Sequence, residues 1–549
     1  MIYNFFSNSR DYSEYIIDPK IDIDPIESKL FHNDSFEIIN NNIIVKKSVA
    51  RDELFHCGVL ILQGNKTFGK TKKGKMYYKC IPNNKYLPIF LIPYELKIGF
   101  HKNYTNKYVL FSFDQWHGKH PMGVLKETFG DVDNFSSYCN YQLWTKKLVY
   151  SLSSFQREVR FLLKRNEEEI IMKTICDKYN VIDKTNEHIF TIDPDGSKDL
   201  DDAFSVKKQE NGSYKICIYI ANVFLIIDHF NLWKFLTKRV STIYLPENKR
   251  NMLPDSLSDD LCSLLTRKKR ISFVMEFIYD DTVHSINYYH ALINVSNNYV
   301  YDSKELLNDS SYIELFNATK KLNNNIIDSH DVVSYWMKYM NIQIANVLYC
   351  KKTGVFRVAT KGENVNIDSK NNETKNMLEQ WKYISSSYQL FSEKQNMFHE
   401  LLENKYVHIT SPIRRQVDLI NQIYFYKYYF KHKIGKETEQ FLTDFEDNID
   451  RMNIDMKSIK KIQMECELLY FCNKNEDLMN EIYDGFVFNE SNNNDNVFQY
   501  NVYIKTLNKM SFFKTEKKLI EDSIYRFKLF LFDKENSGYK KIRLSLVDN

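Results

Sequence analysis

Five aspartates stand within residues 193–202 of this 549-residue chain, and four of them are candidate ligands of a cation. These four are Asp193, Asp199, Asp201 and Asp202, in the segment TIDPDGSKDLDDAF at 191–204. Carboxylates at this spacing repel one another unless a cation lies between them. Because no His or Cys accompanies them, their hard oxygen atoms favour Mg²⁺ or Mn²⁺ over zinc. The segment therefore predicts a divalent-cation site.

An EF-hand loop and a solvated acidic turn are the two alternatives for this segment. An EF-hand needs Gly at loop position six and an acid at position twelve. Counted from Asp193, Gly196 stands at position four and Phe204 at position twelve, so this interpretation fails. A solvated turn is common for charged runs, but apolar strand sequences lie on both sides, where uncompensated charge is costly. We favour the cation site.

The composition restricts the class of protein. A net charge of +4 excludes a polycation but leaves room for a local basic channel. The chain has no secretory signal at its start and no apolar stretch long enough for a membrane span. The nine cysteines contain no Cys-x-x-Cys pair, which argues against a zinc ribbon or a disulfide framework. We expect an intracellular protein, in the cytoplasm, the nucleus or both.

Short apolar runs separated by turn residues indicate where strands lie. Four such runs predict a small barrel, most commonly an OB-fold, at residues 59–62, 75–80, 89–92 and 108–113. Three more strands are predicted near the end of the chain, at 500–503, 525–532 and 541–547.

The acidic segment has its own supporting elements. A helical period at 155–178 leads into a predicted strand at 188–192, so the carboxylates begin at the end of a strand. A second strand is predicted at 214–220, after the hairpin-type turn Asn211-Gly212. Residues from about 300 to 475 are predicted to be mostly helical.

Two separated motifs resemble the hallmarks of the RNase II/RNase R (RNB) superfamily of exoribonucleases. The first is IDPDGSKDLDDA at 192–203, and the second is YVHITSPIRR at 406–415, followed by Asp418. Three further stretches with counterparts in that family lie between them, in the family's order: YIANV at 219–223, STIYLP at 241–246 and MLPDSLSDDLCSL at 252–264.

The flanking segments look closest to the eukaryotic exosome catalytic exonuclease branch of the superfamily. Residues 113–131 resemble its second cold-shock barrel, and residues 541–547 are similar to the end of its C-terminal barrel. The exosome subunit carries an endonuclease domain ahead of its barrels, and we expect this chain to lack it.

The resemblance implies a multidomain α+β fold, with small OB-fold β-barrels flanking a large mixed α/β RNB catalytic domain. Residues 1–52 would be an irregular N-terminal arm or a truncated first cold-shock barrel, and residues 53–150 a cold-shock/OB-fold RNA-binding barrel. Residues 151–478 would be the catalytic domain, and residues 479–549 a C-terminal OB-fold RNA-binding barrel.

The resemblance also implies an activity, a Mg²⁺-dependent 3′→5′ exoribonuclease that hydrolyses single-stranded RNA processively to 5′-mononucleotides. Its two Mg²⁺ ions, for which Mn²⁺ can substitute, would be held by Asp193, Asp199, Asp201 and Asp202. Arg414 would grip a phosphate with its planar fork, the alternative being a surface ion pair. Single-stranded RNA is the expected partner of a monomer that does not bind membranes, and exosome association stays open.

Two tyrosines correspond to aromatic residues of the family. Tyr244 would lie next to the terminal nucleotide and Tyr301 near a ribose, where stacking is insensitive to sequence. An ordinary core tyrosine is the alternative, above all for Tyr301. We expect His408 to be structural rather than a general base. The basic runs at 66–75 and 267–270 could contact phosphate or, for the second, direct nuclear import, but solvated loops are the favoured interpretation.

The chain departs from the family pattern at several positions. The family has an acidic pair in a helix before Phe-Met, and its glutamate contacts the ribose, whereas Ser334 and Tyr335 stand here. Asn222, Gln416 and the pair Gln422-Ile423 replace the family's Asp, Tyr and His-Arg. These changes imply weaker ribose discrimination. They also leave an alternative, a catalytically weakened RNB-family RNA-binding protein, but the presence of all four aspartates favours the enzyme.

Overall fold

The computed structural model describes residues 1–96, 104–236, 238–280, 282–360, 385–400, 402–493, 497–507, 509–534 and 539–547. The chain divides into two compact units. The first unit consists of Met1–Val149, Leu245–Glu247 and Lys460–Asn549, and the second unit of Tyr150–Tyr244 and Asn248–Ile459. Both units contain helices and sheets, so the predicted multidomain α+β class is confirmed.

The N-terminal segment forms an antiparallel sheet. Its elements are β1 (Ile2–Ser7), β2 (Tyr15–Asp18), β3 (Asp34–Ile39), β4 (Asn42–Lys47) and the helical turn α1 (Val49–Asp52). The strand order is β2-β1-β3-β4, and Phe5 and Phe36 are fully buried. The strands differ from the irregular course expected of an arm, because strands this short, with few positions buried, leave little periodic signal. The alternative of a truncated first cold-shock barrel stays a prediction.

A closed five-stranded barrel of the OB type follows. It consists of β5 (His56–Leu60), β6 (Met76–Pro82), β7 (Phe90–Tyr94), β8 (Lys107–Gln115) and β9 (Met122–Asp131), with α2 (Phe135–Thr145) after it. The strand order is β5-β6-β7-β9-β8, and β8 pairs back onto β5. The four predicted strands are confirmed, and β9 is additional. The lysines of the basic run at 66–75 are exposed between β5 and β6, as expected for a solvated loop.

The second unit is built on a seven-stranded mixed sheet. Helices α3 (Ser153–Arg165) and α4 (Glu168–Tyr179) precede it, as predicted. The elements that follow in the chain are β10 (Ile182–Asp183), β11 (Phe190–Asp193), β12 (Asp202–Lys208), β13 (Tyr214–Ala221), α5 (Val223–His229), β14 (Ile243–Leu245), β15 (Asn248–Arg250), β16 (Lys269–Tyr279), β17 (Val283–Asn294) and β18 (Asn297–Val300).

The order of strands in this sheet is β10-β17-β16-β13-β12-β11-β18, and β14 and β15 form a separate hairpin. The central strand β13 is buried without interruption from residue 216 to 221, which explains its continuous apolar run. It pairs with β12 as an antiparallel hairpin across the predicted turn.

Helices dominate the next part of the chain. They are α6 (Lys304–Leu307), α7 (Ser310–Leu322), α8 (Ser329–Cys350), then α9 (Gln416–Tyr428), α10 (Lys436–Asp447) and α11 (Ile449–Lys474). A small sheet interrupts them, with β19 (Val355–Thr360), β20 (Ser385–Leu390), β21 (Phe398–His399) and β22 (Asn404–Lys405). The mostly helical prediction for 300–475 therefore missed this sheet, and its part at 361–384 lies outside the described residues.

The chain closes with a five-stranded antiparallel sheet in the first unit. Its strands are β23 (Ile482–Asn493), β24 (Val497–Ile504), β25 (Lys509–Thr515), β26 (Ser523–Lys534) and β27 (Tyr539–Leu546), in the order β25-β24-β23-β26-β27. The three strands predicted here are confirmed. Among the described residues, none of the helices combines the length and the apolar character that crossing a bilayer requires.

The basic run at 267–270 is not wholly a solvated loop. Its last residue, Arg270, lies in β16 with its side chain 0% exposed. The guanidinium donates to the Ser263 carbonyl over 3.0 Å and to Asp260 over 2.9 Å, and it also pairs with Glu168. The solvated-loop interpretation is therefore wrong for Arg270, because a run of charges looks the same in sequence whether or not acids face it.

We expect Arg270→Ala to lower the free energy of unfolding of the second unit by about 2–4 kcal/mol. The change removes a buried cation that satisfies the Ser263 carbonyl and two acids, although both acids are partly exposed, which reduces the cost. Urea unfolding measures the effect. The neighbouring Lys269→Ala, at an exposed position, is the control and should stay within roughly 0.5 kcal/mol of wild type. Equal stability of the two variants would contradict this account of Arg270.

Candidate functional site

Two neighbouring strands place the ends of the acidic segment. Asp193 is the last residue of β11, and Asp202 is the first residue of β12, which pairs with β11 in antiparallel register. On the other side of β11, the parallel strand β18 places Val300 opposite Asp193. Tyr301 follows directly, and its backbone N–H donates to the Asp193 carbonyl over 3.2 Å.

Leu200 anchors the loop between these strands. It is buried, its N–H donates to the Ser263 hydroxyl over 3.0 Å, and its carbonyl accepts from Leu264. The carbonyl of the next residue, Asp201, accepts from Ala221 and so continues the pairing of β12 with β13. Since alternate residues of an extended chain point to opposite sides, burial of Leu200 turns Asp199 and Asp201 to the other side together.

Asp201 joins the acidic segment to the second motif. One carboxylate oxygen accepts from the Ile413 N–H over 2.9 Å, and the other accepts from Nε of Arg414 over 3.1 Å. The Arg414 carbonyl in turn accepts from the Thr242 N–H over 2.9 Å, which fixes this segment beside residues 240–242. Residues that lie 213 positions apart in sequence thus meet in one ion pair.

All seven predicted site residues line one pocket of the second unit, a cavity of about 440 Å³. They are Asp193, Asp199, Asp201, Asp202, Tyr244, Tyr301 and Arg414. A cavity of this size suits a nucleotide-sized ligand.

The four carboxylates differ in their partners. Asp199 accepts from the Tyr244 hydroxyl over 2.7 Å at one oxygen and from Lys249 Nζ over 3.0 Å at the other. Asp201 is held by Ile413 and Arg414. In contrast, Oδ2 of Asp193 and Oδ2 of Asp202 are buried, and neither has a hydrogen-bond partner among the described residues.

The carboxylates do not form one compact metal cluster. Within the described ranges, no three His, Cys, Asp or Glu side chains are grouped so that they could hold a metal ion. Protein donors hold Asp199 and Asp201 in this arrangement, and the four-carboxylate set for two ions stays a prediction. The two orphaned oxygens of Asp193 and Asp202 do fit a hard divalent cation, since buried polar atoms are normally partnered.

Burial dominates the electrostatics of the pocket. It raises the pKa of Asp193 to about 6, an effect that a hydrogen bond from Thr191 and the charge of Arg414 oppose. It raises the pKa of Asp201 to about 7 despite the attraction of Arg414. The pKa of Asp202 lies well above its usual range, first through burial and then through the charges of Asp193 and Asp201. A cation in the pocket would relieve this shared cost.

The two tyrosines present their rings to the pocket in different ways. The side chain of Tyr244 is 39% exposed while its hydroxyl is fixed on Asp199. The ring of Tyr301 stacks on His330 with centroids 3.7 Å apart and an interplanar angle of 10°. Both tyrosines line the pocket, so the alternative of an ordinary core tyrosine does not hold for either.

One face of α8 forms another wall of the pocket. It contributes Val333, Ser334, Met337, Lys338 and Asn341, a spacing that repeats at helical intervals. None of these five residues is acidic, and Ser334 and Lys338 are exposed. Lys338 was not predicted to line the site. Its position four residues after Ser334 could have indicated it, because residues four apart lie on the same face of a helix.

Most of the other departures from the family pattern lie outside the pocket lining. Asn222 caps α5 by accepting from the Leu225 N–H, and its amide is hydrogen-bonded to His290. The Gln422 side chain donates to the Ala221 carbonyl over 2.9 Å. His408 does line the pocket, but it is hydrogen-bonded to Tyr388 and burial lowers its pKa well below the usual range, as expected for a structural histidine.

Comparison with known proteins identifies relatives of this chain by sequence and by fold. The sequence profile of the RNB domain matches residues 181–312, a stretch that holds the four aspartates and both tyrosines. Residues 181–312 therefore match the RNB domain, and the resemblance seen in the motifs is confirmed.

Individual relatives match over different lengths. DIS3-like exonuclease 2 of Schizosaccharomyces pombe is 34% identical over 169 residues, which are 30% of this chain and 18% of that protein. The alignment thus spans less than a fifth of that relative. RNase R of Mycoplasma genitalium, solved in complex with ribose methylated single-stranded RNA, matches 99% of this chain and 100% of its own, with TM-score 0.72 and 17% identity. Yeast Ssd1, a pseudonuclease, matches 96% of this chain and 80% of its own, with TM-score 0.57 and 14% identity. These structures establish the fold.

The raised pKa of Asp193 predicts a pH-dependent stability in metal-free buffer. Its pKa is about 6 in the folded chain and near 3.8 when unfolded. The protonated carboxyl of Asp193 therefore contributes its full share to the free energy of unfolding below pH 3.8, and this share is lost as pH rises through 6. We expect Asp193→Asn to reduce the fall in the free energy of unfolding between pH 4 and pH 7 by roughly 1–3 kcal/mol. Urea titrations with a chelator present measure it.

Asp195→Asn is the matched control for this measurement, because Asp195 is exposed in the same loop. It should leave the pH dependence as in wild type. If Asp193→Asn and Asp195→Asn behaved alike, the carboxylate of Asp193 would not carry the burial cost described above.

Proposed function

We propose that this chain hydrolyses single-stranded RNA from the 3′ end and releases 5′-mononucleotides, in a reaction that depends on a divalent cation. The observation that carries the proposal is the Asp201–Arg414 pair, which brings an acidic wall and a phosphate-binding group into one pocket. The RNB domain supports a ribonuclease, and the RNase R solved with single-stranded RNA has the same fold.

In this proposal, Arg414 would bind a phosphate of the substrate. Its Nε is fixed on Asp201 and one terminal nitrogen on the Ser411 hydroxyl, while 42% of the side chain stays exposed. Its other N–H donors, which make no hydrogen bond to the residues that the structure describes, could grip phosphate oxygens in a planar fork. Asp201 is then a positioning residue for Arg414.

The tyrosine rings suit a substrate whose sequence varies. A base can stack on the exposed ring of Tyr244, and Tyr301 offers a second surface backed by His330. Stacking contributes about 1–3 kcal/mol per base and does not read sequence. Such contacts favour stepwise, processive shortening of one strand.

Asp193 and Asp202 would hold the cation through their unpartnered oxygens. A divalent cation bound there lowers the pKa of the attacking water and offsets negative charge on the phosphate. Hydrolysis then adds water across the P–O3′ bond, so the released nucleotide keeps the 5′-phosphate and the shortened strand regains a 3′-hydroxyl.

A second candidate is an RNA-binding protein with little or no hydrolysis. Two observations favour it, namely that Asp199 is already held by Tyr244 and Lys249, and that the α8 face contributes no acid. The fold is also shared with Ssd1, a pseudonuclease. The activity assay below separates the two candidates.

With Mg²⁺, 5′-labelled single-stranded RNA should yield a ladder that shortens from the 3′ end. Asp201→Asn should slow this degradation by about 10²–10³-fold or more, because the neutral amide no longer holds Arg414 as an ion pair. RNA binding, measured by filter retention without cation, should be largely kept. Asp195→Asn is the control and should degrade RNA like wild type. A wild-type chain that binds RNA but never shortens it, with Mg²⁺ or Mn²⁺, would overturn the proposal in favour of the second candidate.

Discrimination between ribose and deoxyribose should be weak, because Ser334 stands where the family's ribose-contacting acid is expected. We expect Ser334→Glu to raise the ratio of RNA to DNA degradation about tenfold, which corresponds to ~1.4 kcal/mol for one added hydrogen bond to the 2′-hydroxyl. Oligonucleotides that differ only in their three 3′-terminal sugars measure the ratio. Ser310→Glu, an exposed serine at the start of α7, is the control. Strict rejection of the deoxy ends by wild type would contradict this inference.

A further inference from the structure

A lysine lies on the acidic side of the site. Lys249, in β15, has its ammonium 3.0 Å from Oδ1 of Asp199 and 3.2 Å from Oδ1 of Asp259. Its side chain is 26% exposed and that of Asp199 is 8% exposed. A partly buried ion pair of this kind is screened less than a fully exposed surface pair.

The partner Asp259 is itself held in place. It belongs to a single π-helical turn, Leu257–Leu261, a feature that is rare and often found at functional sites. Its Oδ1 accepts from the Ser258 hydroxyl over 2.7 Å and from the Asn251 amide over 3.3 Å. The ammonium of Lys249 therefore bridges two fixed carboxylates.

Asp199 is fully engaged by this arrangement. Lys249 takes one of its oxygens and the hydroxyl of Tyr244 takes the other. A metal ion that used Asp199 as a ligand would have to displace the ammonium or lie against it, and two like charges at such short distance repel strongly.

The four carboxylates differ in whether a positively charged side chain faces them. Arg414 faces Asp201, and Lys249 faces Asp199. Two carboxylates remain, Asp193 and Asp202, each with a buried oxygen that has no partner in the part of the chain that the structure describes. One divalent cation would satisfy both of these oxygens.

We propose that Lys249 takes the place of a second metal ion, so that this centre binds a single divalent cation on Asp193 and Asp202. The ammonium holds Asp199 in position, and Asp199 in turn holds the hydroxyl of Tyr244 at the pocket. The inference rests on the proposed function for the presence of a cation, and it adds the number of ions and the role of Lys249.

Counting bound Mn²⁺ tests the proposal without any RNA present. Mn²⁺ is titrated into the metal-free full chain, and free Mn²⁺ is measured by electron paramagnetic resonance. Wild type should bind one ion. Lys249→Met should bind two, with an affinity for the second ion at least about tenfold above any second binding in wild type, because Asp199 and Asp259 then face each other across the vacated position. Lys249→Arg keeps the charge and should bind one.

The control variant is Lys215→Met, which removes a comparable ion pair of 2.9 Å with Glu276 elsewhere in the sheet. It should bind one ion. Wild type binding two ions of similar affinity, or none, would overturn the proposal, and so would Lys249→Met binding only one. Should Lys249→Met fail to fold by circular dichroism, the wild-type count still decides.

The ion count and the activity assay can fail separately. A chain that binds one Mn²⁺ but never shortens RNA contradicts the proposed function and leaves the role of Lys249 standing. A chain that degrades RNA while binding two ions contradicts only the role of Lys249.

Discussion

The site depends on one constraint, which is that several carboxylates on adjoining strands must be faced by positive charge. Burial withdraws water from Asp193, Asp201 and Asp202, and each then favours its neutral form. Arg414, from a distant part of the chain, faces Asp201, and Lys249 faces Asp199, a fourth carboxylate of the pocket. The buried Oδ2 atoms of Asp193 and Asp202 have no hydrogen-bond partner among the described residues, and a divalent cation would fit there.

Backbone contacts around the site hold the acidic loop and the Arg414 segment in fixed positions relative to each other. Burial of Leu200 and its contacts with Ser263 and Leu264 orient the acidic loop. The hydrogen bonds of residues 240–242 to the segment around Arg414 bring the second motif to the same end of the sheet. A change in either support would move a charge relative to its partner, so the electrostatics and the packing of this unit cannot be separated.

The departures from the family pattern are of two kinds, those inside the fold and those in the pocket lining. Asn222 and Gln422 make internal hydrogen bonds and serve the fold, so their replacement of charged residues has no direct bearing on a substrate. Ser334 lies in the pocket lining, at the position where the family pattern has an acid. The two kinds of departure look alike in sequence, and their consequences for function differ because only the second changes what a bound strand would meet.

Much of the site could be predicted from sequence because its signals are local. The four aspartates stand within ten residues, and Arg414 and the two tyrosines lie in motifs with a resemblance to a known family. The barrel strands and helices α3 and α4 were also predictable, since apolar periodicity and turn residues act over short distances. The N-terminal sheet carried too weak a period to be recognised.

What only the tertiary structure decided is which charges face each other. A lysine such as Lys249 or an arginine such as Arg270 looks like any solvated charge until the fold places acids around it. The division of the aspartates into a paired and an unpaired set depends in the same way on groups up to 213 residues distant. The sequence by itself determined a cluster of acids and, in a second motif, an arginine, both with a resemblance to the RNB family. The fold determined which of these acids are paired with a positively charged side chain and which are not, because Coulomb interactions depend on distance in space rather than along the chain.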